Sequence, residues 1–105
     1  MLENLGHIQL KSGRFDEAIL SLSEAHRRQL AQGNLIGQAH ALRYLGEAQH
    51  GAGHSDQARA SLEAALALYE DLNATAEVED TRSALAALAQ PTIWAGVVKD
   101  GLVPG

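Results

Sequence analysis

The feature that most constrains the fold of this chain is an internal repeat with a period of forty residues. When the 105-residue sequence is shifted by forty and laid on itself, ten positions within a window of twenty-four carry the same residue. The matching pairs are Leu2/Leu42, Leu5/Leu45, Gly6/Gly46, Gln9/Gln49, Gly13/Gly53, Asp16/Asp56, Ala18/Ala58, Ser21/Ser61, Leu22/Leu62 and Ala25/Ala65. A third, incomplete copy is marked by Leu85, which matches Leu45. The repeat indicates units that stack, because one such unit alone cannot bury its apolar face.

Each copy is predicted to form a helix, a tight turn and a second helix. Apolar residues recur at helical spacing on both sides of Gly13 and Gly53, and glycine favours the positive φ that ends a helix. Asp16 and Glu17 suit the positive end of the macrodipole of the second helix. Capping residues mark the later helix starts. They are Asn34 for the third helix, Ser55 or Asp56 for the fourth, and Asn73 for a fifth helix that runs to about Ala89.

Small residues mark the places where neighbouring helices are expected to touch. Gly6 and Gly46 fall inside the first helix of each copy, where glycine costs up to about 1 kcal/mol relative to alanine. We expect close approach of the next helix to offset this cost. The matching small surface is predicted to consist of alanines spaced seven apart in each copy, Ala18, Ala25, Ala58 and Ala65. The apolar stripe of the first helix is predicted to comprise Leu2, Leu5 and Ile8, with Leu10 as a further candidate.

Composition excludes several classes of protein. Only four aromatic residues occur, so the core must consist of Leu, Ala and Ile, and Ala and Leu are strong helix formers. The absence of cysteine excludes disulfides and thiolate metal sites. The net charge is −5, and the negative charge is concentrated in residues 55–80, which contain seven acidic residues and one basic residue. This acidic segment argues against binding to nucleic acid. No apolar run approaches membrane-spanning length and no signal-peptide pattern is present, so we expect a cytoplasmic protein.

The pattern within each copy resembles the tetratricopeptide repeat. The family signature of a large residue, Leu-Gly, and later two alanines around a large apolar residue is matched by the following residues: Leu2, Leu5, Gly6, Gln9, Ala18, Leu22 and Ala25, and again Leu42, Leu45, Gly46, Gln49, Ala58, Leu62 and Ala65. The resemblance covers roughly residues 2–89. Leu and Gln replace the usual aromatic residues, and the period is forty where the family has about thirty-four. The long period is similar to repeats of bacterial transcription regulators and kinesin light chains.

The resemblance implies an all-α fold, a right-handed α-solenoid of antiparallel helix pairs. Two repeats and a fifth, capping helix would form one domain over residues 1–90. Residues 91–105 would form a C-terminal tail, either disordered or capping the fifth helix with Trp94. A forty-residue period also falls within the range of HEAT-like repeats, which is the structural alternative.

The first helix of each pair lines a concave groove in tetratricopeptide repeat proteins. Carried onto this sequence, the resemblance implies a peptide-binding groove formed by Glu3, His7, Lys11, His40, Arg43, Glu47, His50, Asp80 and Ser83. Independently of the resemblance, the spacing of three, four and three between His40, Arg43, Glu47 and His50 places them on one stripe of a helix. The alternative is that this polar stripe is simply the solvated face of the helix.

The sequence gives no support for a metal site, a cofactor or catalysis. His7, His40, Glu47 and His50 are suitable ligand types, but the close histidine pair of a metalloprotease is absent. The glycine-rich segment 51–55 lacks the lysine of a phosphate-binding loop and follows a helix. We therefore predict a protein that is not an enzyme.

Two functions are compatible with a helical repeat of this kind. The first is a scaffold that binds a protein or peptide partner through the groove. The alternative is the C-terminal sensor or regulatory array of a larger bacterial transcription regulator or signal-transduction ATPase. Because stacked repeats usually need about three units for stability, we also predict a homodimer through the N-terminal end of the first repeat.

Overall fold

The described part of the chain, residues 2–89 of a computed structural model, consists of five helices joined by short turns. The helices are α1 (Leu2–Lys11), α2 (Phe15–Gln32), α3 (Leu35–Gly51), α4 (Ser55–Asp71) and α5 (Thr75–Ala89). Residues 2–89 contain no strand. Each helix contacts the next one along the chain, so the predicted all-α solenoid of helix pairs is confirmed.

Part of what the sequence predicts lies outside the described residues. The predictions for the tail, with Pro91 and Trp94, concern residues 91–105, which the structure does not describe. Within residues 2–89, no helix has the length and apolarity that a bilayer span requires.

The four turns recur every twenty residues, and each contains one residue with positive φ. These residues are Gly13 (78°), Gly33 (69°), Gly53 (86°) and Asn73 (58°). The residue that follows each of them donates its amide to a carbonyl five positions back, as Arg14 does to Gln9 (2.8 Å) and Ala74 to Tyr69 (2.9 Å). This is the hydrogen bond that closes a helix through a left-handed residue. The forty-residue repeat is therefore divided into two helix–turn units of twenty residues.

The helix caps agree with the sequence at Asn34 and differ at two other positions. The side chain of Asn34 accepts a hydrogen bond from the amide of Gly37 (3.1 Å), as an N-cap should. The prediction that Asn73 caps α5 is wrong, because its left-handed backbone closes α4 instead. The prediction that Ser55 or Asp56 caps α4 is also wrong. His54 occupies the N-cap position of that helix, without a side-chain hydrogen bond.

Close contact between helices explains the two glycines inside α1 and α3. A Cβ atom on Gly6 would lie 2.6 Å from Cγ of Leu22, and a Cβ atom on Gly46 would lie 2.7 Å from Cγ of Leu62. The predicted close approach of the next helix is therefore confirmed. A leucine of the neighbouring helix comes nearest to each glycine, and at Gly46 the backbone oxygen of Ala58, one of the predicted alanines, lies beside it (3.2 Å from the Cβ position). The four predicted alanines are buried, so the small surface is present, with a leucine added to it.

The core consists mainly of alanine and leucine, as the composition requires. One buried cluster joins Ala18, Leu22, Leu45 and Ala48 and includes contacts from Leu10, Ile19 and Tyr44. A second cluster joins Ala39, Ala65, Tyr69 and Val78 around the α3, α4 and α5 helices. Tyr69 is the largest fully buried side chain among the described residues. Alanine accounts for more than half of the buried apolar residues that the structure describes.

A polar contact repeats with the forty-residue period. Ser21 donates a hydrogen bond to Oε1 of Gln9 (2.8 Å), and Ser61 donates the equivalent one to Oε1 of Gln49 (2.7 Å). Both pairs link the first helix of a repeat to the second. These glutamines stand at the positions where the resemblance to tetratricopeptide repeats leads us to expect an aromatic residue, and a hydrogen bond links the two helices there instead.

The apolar stripe of α1 is less buried than the sequence predicts. Ile8 is 62 % exposed and Leu5 is 45 % exposed. The contacts of α1 within the described residues are with α2 and α3. Leu10, in contrast, packs against the buried cluster of Leu22 and Leu45. The stripe therefore has one side against the core and one side open.

Candidate functional site

The odd-numbered helices lie side by side and form one face of the molecule. Among the described elements, α1 contacts α3 and α3 contacts α5, whereas α2 and α4 make no comparable contact with each other. We call the exposed surface of α1, α3 and α5 the groove face. The predicted groove residues all belong to these three helices. The side chain of Glu3 lies outside the part of the chain for which side chains are described.

Arg43 is the centre of the groove face. Its Nε lies 3.4 Å from Oε2 of Glu47 within α3, and one terminal nitrogen lies 4.0 Å from Oδ2 of Asp80 on α5. The Arg43 side chain is only 21 % exposed, whereas that of Asp80 is 64 % exposed. Burial is the largest single influence and lowers the pKa of Arg43, but the charge and hydrogen bond of Glu47 and the nearby Tyr44 and Tyr69 together raise it more, so the net shift is upward. Arg43 is thus a fixed positive charge held between two carboxylates.

An aromatic contact connects α1 to α3 beside Arg43. The rings of His7 and Tyr44 are stacked, with centroids 4.7 Å apart and an interplanar angle of 19°. The guanidinium carbon of Arg43 lies 5.4 Å from the centroid of the Tyr44 ring, within the range of a cation–π contact. The structure therefore brings His7, Arg43, Glu47 and Asp80 into one continuous network, in which Tyr44 is the link between α1 and α3.

His40 is directed to a different partner. Its Nδ1 lies 2.6 Å from the hydroxyl of Tyr69 on α4, and the two atoms share a hydrogen bond whose direction follows the histidine tautomer. Tyr69 is fully buried, and burial raises its pKa to about 12 in spite of the nearby charge of Arg43. The hydrogen bond gives His40 a structural role in joining α3 to α4. Its role in a groove stays a prediction.

The remaining predicted residues are more accessible. Lys11, His50 and Ser83 are exposed. His50 and Glu47 border a pocket of about 160 Å³ between the C-terminal halves of α3 and α5. The other lining residues are apolar: Leu62 of α4, and Ala84, Ala87 and Leu88 of α5. The groove face therefore combines charged side chains with an apolar recess.

The potential metal ligands of the groove face are not gathered into a cluster. Within residues 2–89, no group of three or more His, Asp or Glu side chains is placed so that it could hold an ion. The polar atoms of the face instead bind one another, as Arg43 binds Glu47 and Asp80. This arrangement offers hydrogen bonds and charges to a ligand.

Sequence reasoning missed three contributors to this site. Tyr44 and Tyr69 lie next to predicted residues in space, but nothing in their sequence spacing indicates their partners. The apolar pocket was missed as well, although the forty-residue alignment contains a signal for it. That alignment pairs Tyr44 with Ala84, so a ring in one repeat corresponds to a methyl group in the next.

Comparison with known proteins gives one result that bears on this face. A family model described as tetratricopeptide repeat matches residues 1–71, about two thirds of the chain. The match includes α1 to α4 and the glycine turns between them. No curated protein and no solved structure matches the chain.

Proposed function

This chain belongs to the tetratricopeptide repeat family, and from that premise we propose that its groove face binds an extended segment of a partner protein. Repeats of this family generally mediate protein–protein interaction. The observation that carries the proposal is the combination of Arg43, Glu47 and Asp80 with the adjoining apolar pocket on one face. Specific interfaces have the same composition, an apolar centre with polar groups around it.

The charges on this face favour a partner segment that carries both signs. Lys11 is an exposed cation on α1, and Asp80 is an exposed anion on α5, with Arg43 between them. A ligand carboxylate could pair with Lys11, and a ligand cation with Asp80, without breaking the contact of Arg43 to Glu47. Both pairs would be solvent-exposed, so they would contribute mainly to orientation and association rate. The affinity would come from an apolar side chain in the pocket.

The same features support a role without catalysis. The family is a non-catalytic interaction repeat, and at the centre of the groove face Arg43 is paired with Glu47 and Asp80. The acidic balance of residues 55–80 favours a protein partner over nucleic acid. We place this interaction in the cytoplasm, in keeping with the absence of cysteine from the sequence.

The homodimer predicted from the sequence is also kept as a proposal. Its support is the exposure of Leu5 and Ile8 on α1. A monomeric mass by light scattering at high protein concentration would reject it.

The test of the groove compares two matched pairs of substitutions. The full chain is immobilised, captured partners are identified, and the affinity of one partner is measured for the variant Arg43→Ala with His50→Ala. The control is Arg59→Ala with His54→Ala, which removes the same residue types from exposed positions on α4 and its preceding turn. We expect at least a tenfold loss for the groove pair, equivalent to about 1.4 kcal/mol, because Arg43 positions Glu47 and Asp80, and His50 lines the pocket. We expect no loss for the control. Equal binding by both variants would remove the groove proposal.

A further inference from the structure

The apolar pocket of the groove face exists because one repeat lacks a ring that the other has. Its lining positions are Glu47, His50, Leu62, Ala84, Ala87 and Leu88. Forty residues earlier, the corresponding positions are His7, Leu10, Leu22, Tyr44, Glu47 and Ala48. In this earlier set, the Tyr44 ring stacks on His7 and packs against the buried cluster that contains Leu22 and Ala48. Ala84 stands at the position of Tyr44 and leaves the corresponding space unfilled.

The unfilled space has the size of one aromatic ring. The pocket measures about 160 Å³, and an apolar protein cavity of roughly 150 Å³ accepts a benzene molecule. Leu62 and the side chains of Ala84, Ala87 and Leu88 offer it an apolar surface. Glu47 and His50 complete the lining, and the surface of the pocket is almost entirely apolar. Such a surface suits an aromatic side chain, and the half-open pocket would let an indole keep its N–H towards water.

One aromatic residue of the chain is available for this space. Among the four, Phe15 lies against Gly51, Tyr44 lies on His7, and Tyr69 is in the core. The fourth is Trp94. It follows the end of α5 by five residues, and five residues can span up to about 17 Å. Leu88, which lines the pocket, is one residue before that end.

The residues after α5 do not favour continuation of that helix. Pro91 cannot continue a helix, and it disfavours helical backbone at the preceding residue. The segment is rich in apolar residues around Trp94, with Ile93, Val97 and Val98.

We propose that the pocket receives the side chain of Trp94 from the same chain. Trp94 then supplies to the second repeat the ring that Tyr44 supplies to the first. A partner that places an apolar side chain in this pocket has to displace Trp94, so the segment competes with the partner. The pocket and its occupant are tested without any partner, and a failure here leaves the proposed binding function standing.

Because Trp94 is the only tryptophan, the fluorescence of the full chain reports on it alone. We expect an emission maximum well to the blue of free tryptophan in water, with quenching by acrylamide several-fold weaker. Ala84→Tyr should fill the pocket with the ring that the first repeat carries at this position. Trp94 emission should then shift to that of free tryptophan, and acrylamide quenching should rise several-fold. Far-UV circular dichroism shows whether the variant keeps its helices.

The matched control is Ala86→Tyr, which adds the same ring at an exposed position of α5 outside the pocket lining. It should leave the emission unchanged. Wild-type emission at the position of free tryptophan would overturn the proposal. Protected emission that Ala84→Tyr does not change would also overturn it, because Trp94 would then be buried elsewhere. Emission that shifts on dilution would indicate the Trp94 of a second copy and would overturn binding within one chain.

Discussion

Replacing Gly46 by alanine decides whether the helix contact at this position governs stability. In an open helix the substitution should stabilise the fold by about 1 kcal/mol, because alanine is the better helix former. In this structure the new Cβ would lie 2.7 Å from Cγ of Leu62 and 3.2 Å from the carbonyl oxygen of Ala58. The leucine can rotate, but the carbonyl is part of the backbone of α4. Overpacking of this kind typically costs about 1–3 kcal/mol.

The two effects give a net loss of about 1 kcal/mol for Gly46→Ala, taking the middle of these ranges. The free energy of unfolding is measured by urea denaturation, with helix content followed by far-UV circular dichroism. The control is Ala64→Gly at an exposed position of α4, which should cost about 1 kcal/mol from helix propensity alone.

A second background separates the contact from other effects of the substitution. In a chain carrying Leu62→Ala, the Cγ atom that crowds Gly46 is gone, and Gly46→Ala should be close to neutral or stabilising. The difference between the two backgrounds is the interaction energy of the pair, expected at about 1 kcal/mol or more for residues in contact. Stabilisation of the wild-type chain by Gly46→Ala would refute the packing argument.

Three further outcomes test other contacts. Ser61→Ala should lose about 1 kcal/mol in urea denaturation, because its hydrogen bond to Gln49 is gone. Asn73→Ala should lose a similar amount at its left-handed position, and Asn73→Gly should not. The raised pKa of Tyr69 means that the unfolded chain deprotonates first, so stability present at neutral pH should fall as pH rises from about 10 towards 12. Tyr69→Phe should weaken that alkaline loss, and an unchanged profile would contradict it.

The helices and their turns could be predicted because their causes are local. Gly13, Gly33 and Gly53 supply the positive φ of three turns, and this requirement is visible in the sequence itself. The fourth turn uses Asn73, which is compatible with either a left-handed residue or an N-cap. The sequence alone could not decide between these roles, because the end of α4 at Asp71 and the start of α5 at Thr75 lie close to Asn73 on either side.

The contacts between helices could be predicted only in part. Gly6 and Gly46 indicate close approach, but which atom fills the space depends on the rotation of the neighbouring helix. The structure places Leu22 and Leu62 there. The pairing of Ser61 with Gln49 likewise needs the two helix faces in register, although both residues are among the matches of the repeat.

The candidate site was predictable as a stripe and not as a network. Helical spacing places His40, Arg43, Glu47 and His50 along one side of α3. Their partners on other helices, Asp80, Tyr44 and Tyr69, depend on how α1, α4 and α5 pack around α3. As a result, residues of one predicted stripe have different surroundings, and His40 is bound to a buried tyrosine while His50 borders a pocket.

Site-specific crosslinking tests the proposed use of the groove face most directly. A photoreactive amino acid is placed at Ser83, an exposed position of α5 on this face, and in a second protein at Glu63, an exposed position of α4. Each protein is irradiated with the same captured partner at equal concentration. Partner binding in the groove predicts a crosslink from position 83 and none from position 63. A crosslink from position 63 alone would contradict it.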